Sequence, residues 1–326
     1  MAQSRLLYDR GKVAEKMIIT IDFGGTNIKI GLVDQGKIVG RSNLPSYSDK
    51  GMIVRLSDVE QEIKVLLKRQ GSSISDCSGL GIATPGLVDV ENCVILSINE
   101  KYSDAVGFNF QDWAREAFSL PMVLENDARA ALLGEIAYGV AEGEKDAVLL
   151  TFGTGIGTAV IMNGQVVRGK HSQAGILGGH FTTDVYGNEC NCGNLGCLEA
   201  QAGHWALSYS VKQHPTYFNS VLSKCSSLGY SDIIEAAQQG DQVGVDVLEG
   251  LLNHWSAGIV NMIHAYDPET VILSGGLMKA SDFIVPILRE RVRQRSWTPW
   301  GDVKMVVAND PDVSVLLGLA SLVCEE

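Results

Sequence analysis

The sequence predicts an α/β protein built from a duplicated domain, on two observations. Apolar, β-branched runs of strand length alternate with stretches whose apolar residues recur at helical spacing. The segment IITIDFGGTNIKIGLVDQGKIV (18–39) is also echoed by VLLTFGTGIGTAVIMNGQVV (148–167). Each copy has an apolar strand, a glycine-rich turn with a threonine, a second strand, an Xaa-Gly turn and a third strand. The interval between the copies is far too long for a solenoid repeat. It implies two similar halves, with two equivalent glycine turns directed into one cleft.

In order along the chain, the first 16 residues read as a polar, frayed or helical leader. MIITID (17–22) is a buried strand, and 28–40 gives two strands around a turn at Asp34–Gly36. Over 53–70, Ile53, Leu56, Val59, Ile63, Leu66 and Leu67 share a helical face, and Gly71 ends the helix. GLGIA (79–83) is a strand stopped by Pro85–Gly86. A helix over 109–118 precedes strand MVLEN (122–126), and a second helix runs from Ala128 to about Tyr138. AVLLTF (147–152) is a strand, and 157–167 is a hairpin turning at Asn163–Gly164. A long helical stripe runs through Val245, Leu248, Leu252, Trp255, Ile259, Met262, Ile263 and Tyr266, and it reads as core or lobe interface. Strand TVILSGG (270–276) enters a glycine turn, VKMVVA (303–308) is the last strand and 313–323 a closing helix.

Composition narrows the functions. A chain of 326 residues holds about two domains and a large core. A net charge of −12 argues against a nucleic-acid partner. No apolar run approaches the roughly 18 residues of a membrane span, and MAQSRLLYDRGKVAEKM lacks a signal-peptide core. The expected location is therefore the cytoplasm, where thiols stay reduced, and seven cysteines do not make a disulfide scaffold.

Five motifs carry chemistry. In DFGGTN (22–27), Gly24 and Gly25 allow close backbone approach to an anion, Thr26 adds a hydroxyl, and Asp22 is placed to hold a metal-bound water; the bland reading is a plain hairpin turn. In FGTGIGT (152–158), Gly153, Thr154 and Gly155 form the matching loop. A β-branched strand follows it, where a dinucleotide-binding turn would need a helix. Paired, the two loops can clasp a phosphate chain. In LENDARAALLGE (124–135), Asp127 stands where a strand becomes a helix. It is either an N-cap or a general base that takes a hydroxyl proton while the oxygen attacks phosphorus, with Asn126 orienting the same ligand. After strand 270–274, Gly275 and Gly276 offer flat backbone to a planar ring such as adenine.

The fifth motif is GGHFTTDVYGNECNCGNLGCLEA (178–200). Cys190, Cys192 and Cys197 follow His180, and three thiolates with an imidazole make a closed tetrahedral zinc set. Four protein ligands leave no position for water, so such a zinc is structural. A redox role is disfavoured by the absence of Cys-x-x-Cys. The remaining cysteines read as small buried apolar residues.

Together these residues resemble the ROK family of repressors, open reading frames and sugar kinases. The match runs from about residue 17 to the C-terminus through Asp-x-Gly-Gly-Thr, Pro-Gly-x-Val-Asp (85–89), Asn-Asp-x-x-Ala (126–130), Gly-Thr-Gly-x-Gly (153–157), the cysteine motif (190–199) and Asp-Pro-x6-Gly-Gly (267–276). The resemblance implies a duplicated actin-like (ribonuclease H-like) ATPase fold with ATP and sugar bound between two lobes. The expected lobes are 1–121, joined by the C-terminal helix 312–326, and 122–311, which carries the zinc loop 180–197. It further implies Asp127 as base, Asn99 and Asn126 as sugar contacts, His180 and Glu199 facing the sugar, and Asp22, Thr26 and Thr154 near phosphate and Mg²⁺. The expectation is an ATP- and Mg²⁺-dependent, glucokinase-like kinase of a hexose or N-acetylhexosamine, as a homodimer. Sixteen residues before the first strand are too few for the winged helix of repressor members. A non-catalytic sugar-binding regulator is the alternative, and a zinc-dependent hydrolase would need an open metal site.

One departure stands out. Sugar-kinase members usually read Ala-Gly-Glu-x-Gly-His before the cysteines, whereas this chain reads AGILGGH (174–180). The glutamate position falls on Leu177 counted back from His180, or on Ile176 counted forward from Ala174. A carboxylate that grips sugar hydroxyls is missing either way, which loosens the expectation of plain glucose.

Overall fold

The computed structural model describes residues 16–99 and 101–325. The leader expected over the first 16 residues lies outside them, apart from Lys16. The chain forms two compact units: 1–145 with 163–174 and 308–326, and 146–162 with 175–307.

In the first unit, β1 (Met17–Phe23), β2 (Asn27–Asp34) and β3 (Lys37–Pro45) form an antiparallel meander. After α1 (Leu56–Arg69), β4 (Cys77–Thr84) pairs parallel with β1. A small ribbon of β5 (Leu87–Asp89) and β6 (Val94–Ser97) and then α2 (Phe110–Phe118) lead to β7 (Met122–Asn126), parallel to β4. The sheet order is β3-β2-β1-β4-β7. α3 (Asp127–Tyr138) follows β7 directly.

The strand period of two sorts the β1 side chains. Ile19, Ile21 and Phe23 join Val59, Ile63 and Leu66 of α1 and Phe110 and Trp113 of α2 in one core. Ile18 faces the other way, toward Leu317 and Ala320 of the closing helix. As the sequence anticipates, Leu56, Val59, Ile63, Leu66 and Leu67 are buried, but Ile53 is 37% exposed in a preceding 3₁₀ turn.

In the second unit, β8 (Ala147–Phe152) pairs antiparallel with β9 (Ile156–Met162); the turn at Asn163–Gly164 and the short β10 (Gln165–Val166) belong to the 163–174 segment of the first unit. Three helices not foreseen from sequence follow the cysteine segment or flank it: α4 (Leu198–Ala202), α5 (Leu207–Lys212) and α6 (Tyr230–Gln238). α7 (Gln242–Tyr266) is the long stripe, with Trp255 fully buried, though Val245 turns outward and Val243 takes its place in the core. β11 (Thr270–Ser274) runs parallel to β8, and β12 (Lys304–Val307) parallel to β11. Between them α8 (Ser281–Arg295) was also unforeseen, since Pro286 and a run of charges mask its periodicity. The order β9-β8-β11-β12 and its strand directions repeat β2-β1-β4-β7, so the echo in the sequence is a true structural duplication.

α9 (Pro311–Glu325) returns to the first unit and crosses α3. The crossing is close because it is built on glycine. A Cβ on Gly134 would run into the Ser314 carbonyl, and one on Gly318 into the Ala130 carbonyl. The return of the closing helix matches the sequence reading, but the expected division at residue 122 moves to 145/146. β7 is an integral strand of the first sheet, and α3 packs under it.

Candidate active site and metal centre

Apart from Asn99, every residue singled out on the first unit lies on the strand ends, the glycine turn or the start of α3. Asp22 ends β1 and is buried. Burial raises its proton affinity, with Asp312 adding, while Lys29 opposes from 2.9 Å. Lys29 also lies 2.8 Å from Asp312 of α9. Burial lowers its proton affinity, but the two carboxylates outweigh this and the net shift is upward.

The turn after Asp22 is held from behind by its carbonyls. The Gly24 carbonyl accepts the Tyr102 hydroxyl, and the Gly25 carbonyl accepts Ser46 and Ser48, each at 2.8 Å. The amides of Gly25 and Thr26 find no acceptor among the described residues. Gly25 and Thr26 are exposed, so the turn offers free N–H groups of the kind that bind phosphate oxygens.

Asn126 and Asp127 divide their labour. The Asn126 side-chain oxygen accepts the amides of Ala128 and Arg129 at 3.0 and 3.2 Å, so Asn126 is the N-cap of α3. Its amide donates to the Gly86 carbonyl at 3.1 Å, which leaves one N–H for a ligand. Asp127 therefore shares only the Ala128 amide with that cap, at 2.8 Å from its Oδ1. It is half-buried, and burial, with the Asp22 carboxylate adding, pushes its pKa up to about 7 against the Ala128 amide and Lys29. A carboxylate tuned to that range is suited to general-base work. Asn99 is exposed at the end of the β5–β6 region, with its carbonyl accepting the Lys101 amide.

In the second unit the loop after β8 and the turn after β11 meet. Gly153, Thr154 and Gly276 line a cavity of about 440 Å³ together with His204, Tyr230 and Lys279. Gly275 has φ +91°, and a Cβ there would strike the backbone of Phe152, so the β11 turn can lie this close to β8 only as glycine. The sequence reading found the glycines but not His204, Tyr230 or Lys279, which arrive from other elements.

The cysteine segment closes as expected. Ligand atoms of His180, Cys190, Cys192 and Cys197 lie within 4.8 Å of one another. His180 Nδ1 is 3.5 Å from Cys190 Sγ, and Cys192 Sγ is 3.6 Å from Cys197 Sγ. Sulfurs bound at about 2.3 Å on a tetrahedron stand roughly 3.7 Å apart, so the four donors fit a zinc ion. Burial pushes the Cys190 thiol up to about 12 and raises Cys197, so these sulfurs need a cation to become thiolates at neutral pH. Gly196, at φ +68° against the Asp184 carbonyl, makes the tight return.

Glu199 is tied in more firmly than a free sugar contact would be. Its carboxylate accepts the Ile156 amide at 2.7 Å and the Trp205 indole at 3.2 Å. It thereby braces the glycine loop before β9 against the start of α4. In AGILGGH, Gly178 and Gly179 are buried with no room for a Cβ, Ile176 is half-buried, and Leu177 is 37% exposed. The Gly175 carbonyl and the Gly178 amide both bond Thr158. An aliphatic surface thus occupies the place of the expected glutamate.

The comparisons agree with this picture. A family model described as ROK family matches residues 18–326. The glucokinase of Thermotoga maritima is 29% identical over 318 residues, covering 94% of this chain and 97% of that one. The xylose repressor of Bacillus subtilis is 27% identical over 248 residues, covering 76% of this chain and 61% of the repressor. A ROK family glucokinase from Streptomyces griseus, crystallised with glucose and AMPPNP, superposes with a TM-score of 0.76 at 27% identity, covering 94% and 98% of the two chains. No helix among the described residues is long and apolar enough to cross a membrane. With the duplicated sheets, the glycine turns and the His-Cys₃ cluster all in place, the chain belongs to the ROK family, on the mixed α/β, actin-like fold of its sugar kinases.

Proposed function

We propose that the protein is an ATP-dependent sugar kinase in which Asp127 is the general base. The observation that carries this reading is the state of Asp127: largely relieved of capping by Asn126 and lifted by burial to about 7. Near neutral pH such a carboxylate can take a sugar hydroxyl proton as the oxygen attacks the γ-phosphoryl group in line. The uncommitted amides of Gly25 and Thr26 on the first unit receive phosphate oxygens, as do the Thr154 and Gly155 amides on the second, where the Gly153 amide is bonded to the Gly155 carbonyl at 3.0 Å. The cavity lined by Thr154, Gly276, Tyr230 and His204 takes the nucleoside end of ATP. The kinase-named relatives and the glucose–AMPPNP complex of the Streptomyces griseus protein support the same assignment.

On the first unit the sugar contacts are Asn99 and the remaining Asn126 amide proton; on the second they are His180 and, through lone pairs beyond its bonds to Ile156 and Trp205, Glu199. Because Nδ1 of His180 is turned to the sulfurs, Nε2 is left to face a ligand, so one imidazole serves both metal and substrate. Zinc is structural in this reading and fixes that ring. Asp22 Oδ2 is engaged by Lys29, and Oδ1 is left to hold a hydrated Mg²⁺, which would neutralise charge on the transferring phosphate. A homodimer is part of the reading on the family resemblance alone, and a cytoplasmic location on the sequence composition.

A coupled ADP-release assay over hexoses and N-acetylhexosamines, with glucose first, tests the proposal. Sugar-stimulated ADP release that disappears in Asp127→Ala is the expected result; no stimulation by any sugar, with Asp127→Ala indistinguishable, overturns it. One observation favours a non-catalytic sugar-binding regulator instead: the aliphatic Ile176–Leu177 in place of the glutamate, in a family that includes the xylose repressors. Sugar binding by calorimetry without turnover would select that reading.

A further inference from the structure

We infer that Glu125, Arg129 and Arg168 are positioning residues, a buried clamp that locks the peptide preceding Asp127 to the 167–174 loop. The Glu125 side chain is fully buried at the end of β7. One carboxylate oxygen accepts the amide of Asn126 at 2.8 Å, which fixes the residue that caps α3 and precedes the base. The other oxygen is gripped by the Arg168 guanidinium. Arg129, one turn into α3 and also fully buried, sends a single nitrogen to three carbonyls: Val167 at 3.3 Å, Ser172 at 3.1 Å and Ala174 at 2.8 Å.

Those carbonyls belong to a loop folded for the purpose. Gly169 and Ser172 both have positive φ (67° and 57°), and the Ala174 amide closes the loop on the Arg168 carbonyl at 3.0 Å. For Ser172 this is a costly conformation that needs an external hold. The loop belongs to the first unit, and its last residue, Ala174, opens the AGILGGH stretch.

Stability does not explain the cluster. Two guanidinium groups against one carboxylate leave one net positive charge buried, and Arg129 Nε and Nη1 and Arg168 Nη1 have no acceptor among the described residues. Apolar residues of similar volume would fill such a site at least as well. What the arginine supplies and an apolar residue cannot is a charged donor on which three carbonyls converge, and what the carboxylate supplies is a two-sided acceptor between Asn126 and Arg168.

The catalytic part of this inference rests on the kinase reading, so the experiment has two arms on the full chain. In the first, hydrogen exchange is measured for Arg129→Met, which keeps much of the side chain's length and removes every donor to the three carbonyls. Amides of 168–176 are expected to exchange about tenfold faster while those of α7 stay unchanged; unchanged exchange at 168–176 overturns the clamp. In the second, kcat is expected to fall about 10- to 100-fold in Glu125→Gln with KM for ATP unchanged. The double variant Glu125→Gln/Arg168→Gln restores a neutral amide pair and is expected to recover most of that loss. A double variant no better than Glu125→Gln overturns the positioning role. Should Glu125→Gln not fold, Arg168→Met, at a side chain 20% exposed, substitutes for it. A folded Arg168→Met with wild-type kcat overturns the role equally. A wild type without sugar-dependent ADP release sinks the kinase reading alone, and the exchange arm still decides the clamp.

Discussion

Asn126 caps α3 with its side-chain oxygen and leaves the carboxylate of Asp127, the next residue, largely free of that duty. A strand-to-helix Asp is ordinarily read as a cap. Here the preceding Asn accepts the Ala128 and Arg129 amides, and the half-buried Asp127 carboxylate shares only the Ala128 amide, at 2.8 Å. Asp127→Asn is expected to lower kcat by about 10²- to 10⁴-fold, the usual weight of a general base, while leaving the helix intact. Circular dichroism and steady-state kinetics on the same preparation check both halves.

The elevated pKa gives two signs to test. The base acts deprotonated, so kcat/KM is expected to fall with unit slope below about pH 7. For stability, a folded carboxyl raised above its unfolded value of 3.8 binds protons more tightly when folded. It therefore costs stability in full above pH 7, and the cost fades as pH falls toward 4. Asp127→Asn is expected to melt above the wild type at pH 8, with the gain shrinking at pH 5. A wild-type-like melting temperature across that range would count against the burial argument.

Restoring a carboxylate tests the departure in AGILGGH. Leu177 is exposed, so Leu177→Glu should fold without repacking. Supplying an acceptor for sugar hydroxyls worth about 1–3 kcal/mol is expected to lower KM for glucose roughly 5- to 150-fold. Unchanged KM would place the sugar away from this stretch.

One zinc per chain is expected by metal analysis, and none after Cys192→Ser or prolonged chelation, with a large drop in melting temperature. Retained folding with turnover lost would point to a catalytic metal instead.

The α3–α9 crossing supplies a stability test remote from the chemistry. Gly318→Ala places a methyl against the Ala130 carbonyl and should destabilise by about 1–3 kcal/mol in urea titration. A neutral effect would mean that the helices can separate without loss.

Much of the fold was legible because its signals are local. Strand alternation, the Asn163–Gly164 turn, the α1 stripe and the recurrence of strand–glycine turn–strand depend on neighbours a few residues apart. The same holds for the cysteines: Cys190, Cys192 and Cys197 fall within eight positions, so their meeting with His180 needs only a tight loop. α8 and α6 escaped because a proline, charges and short length blur the helical period.

The sequence by itself thus determined the α/β class, the duplication, the glycine turns and the His-Cys₃ cluster, since each is written in spacing along the chain. The tertiary structure alone decided which atoms remain free to act. It gave the cap to Asn126 and released Asp127, turned Nδ1 of His180 to the sulfurs, and committed Glu199 to Ile156 and Trp205. It moved β7 and α3 into the first unit, and it drew Arg129 onto three carbonyls some forty positions away. These outcomes depend on burial and on hydrogen bonds between distant segments, and desolvation, which sets the proton affinity of Asp127, is a property of packing that no local pattern encodes.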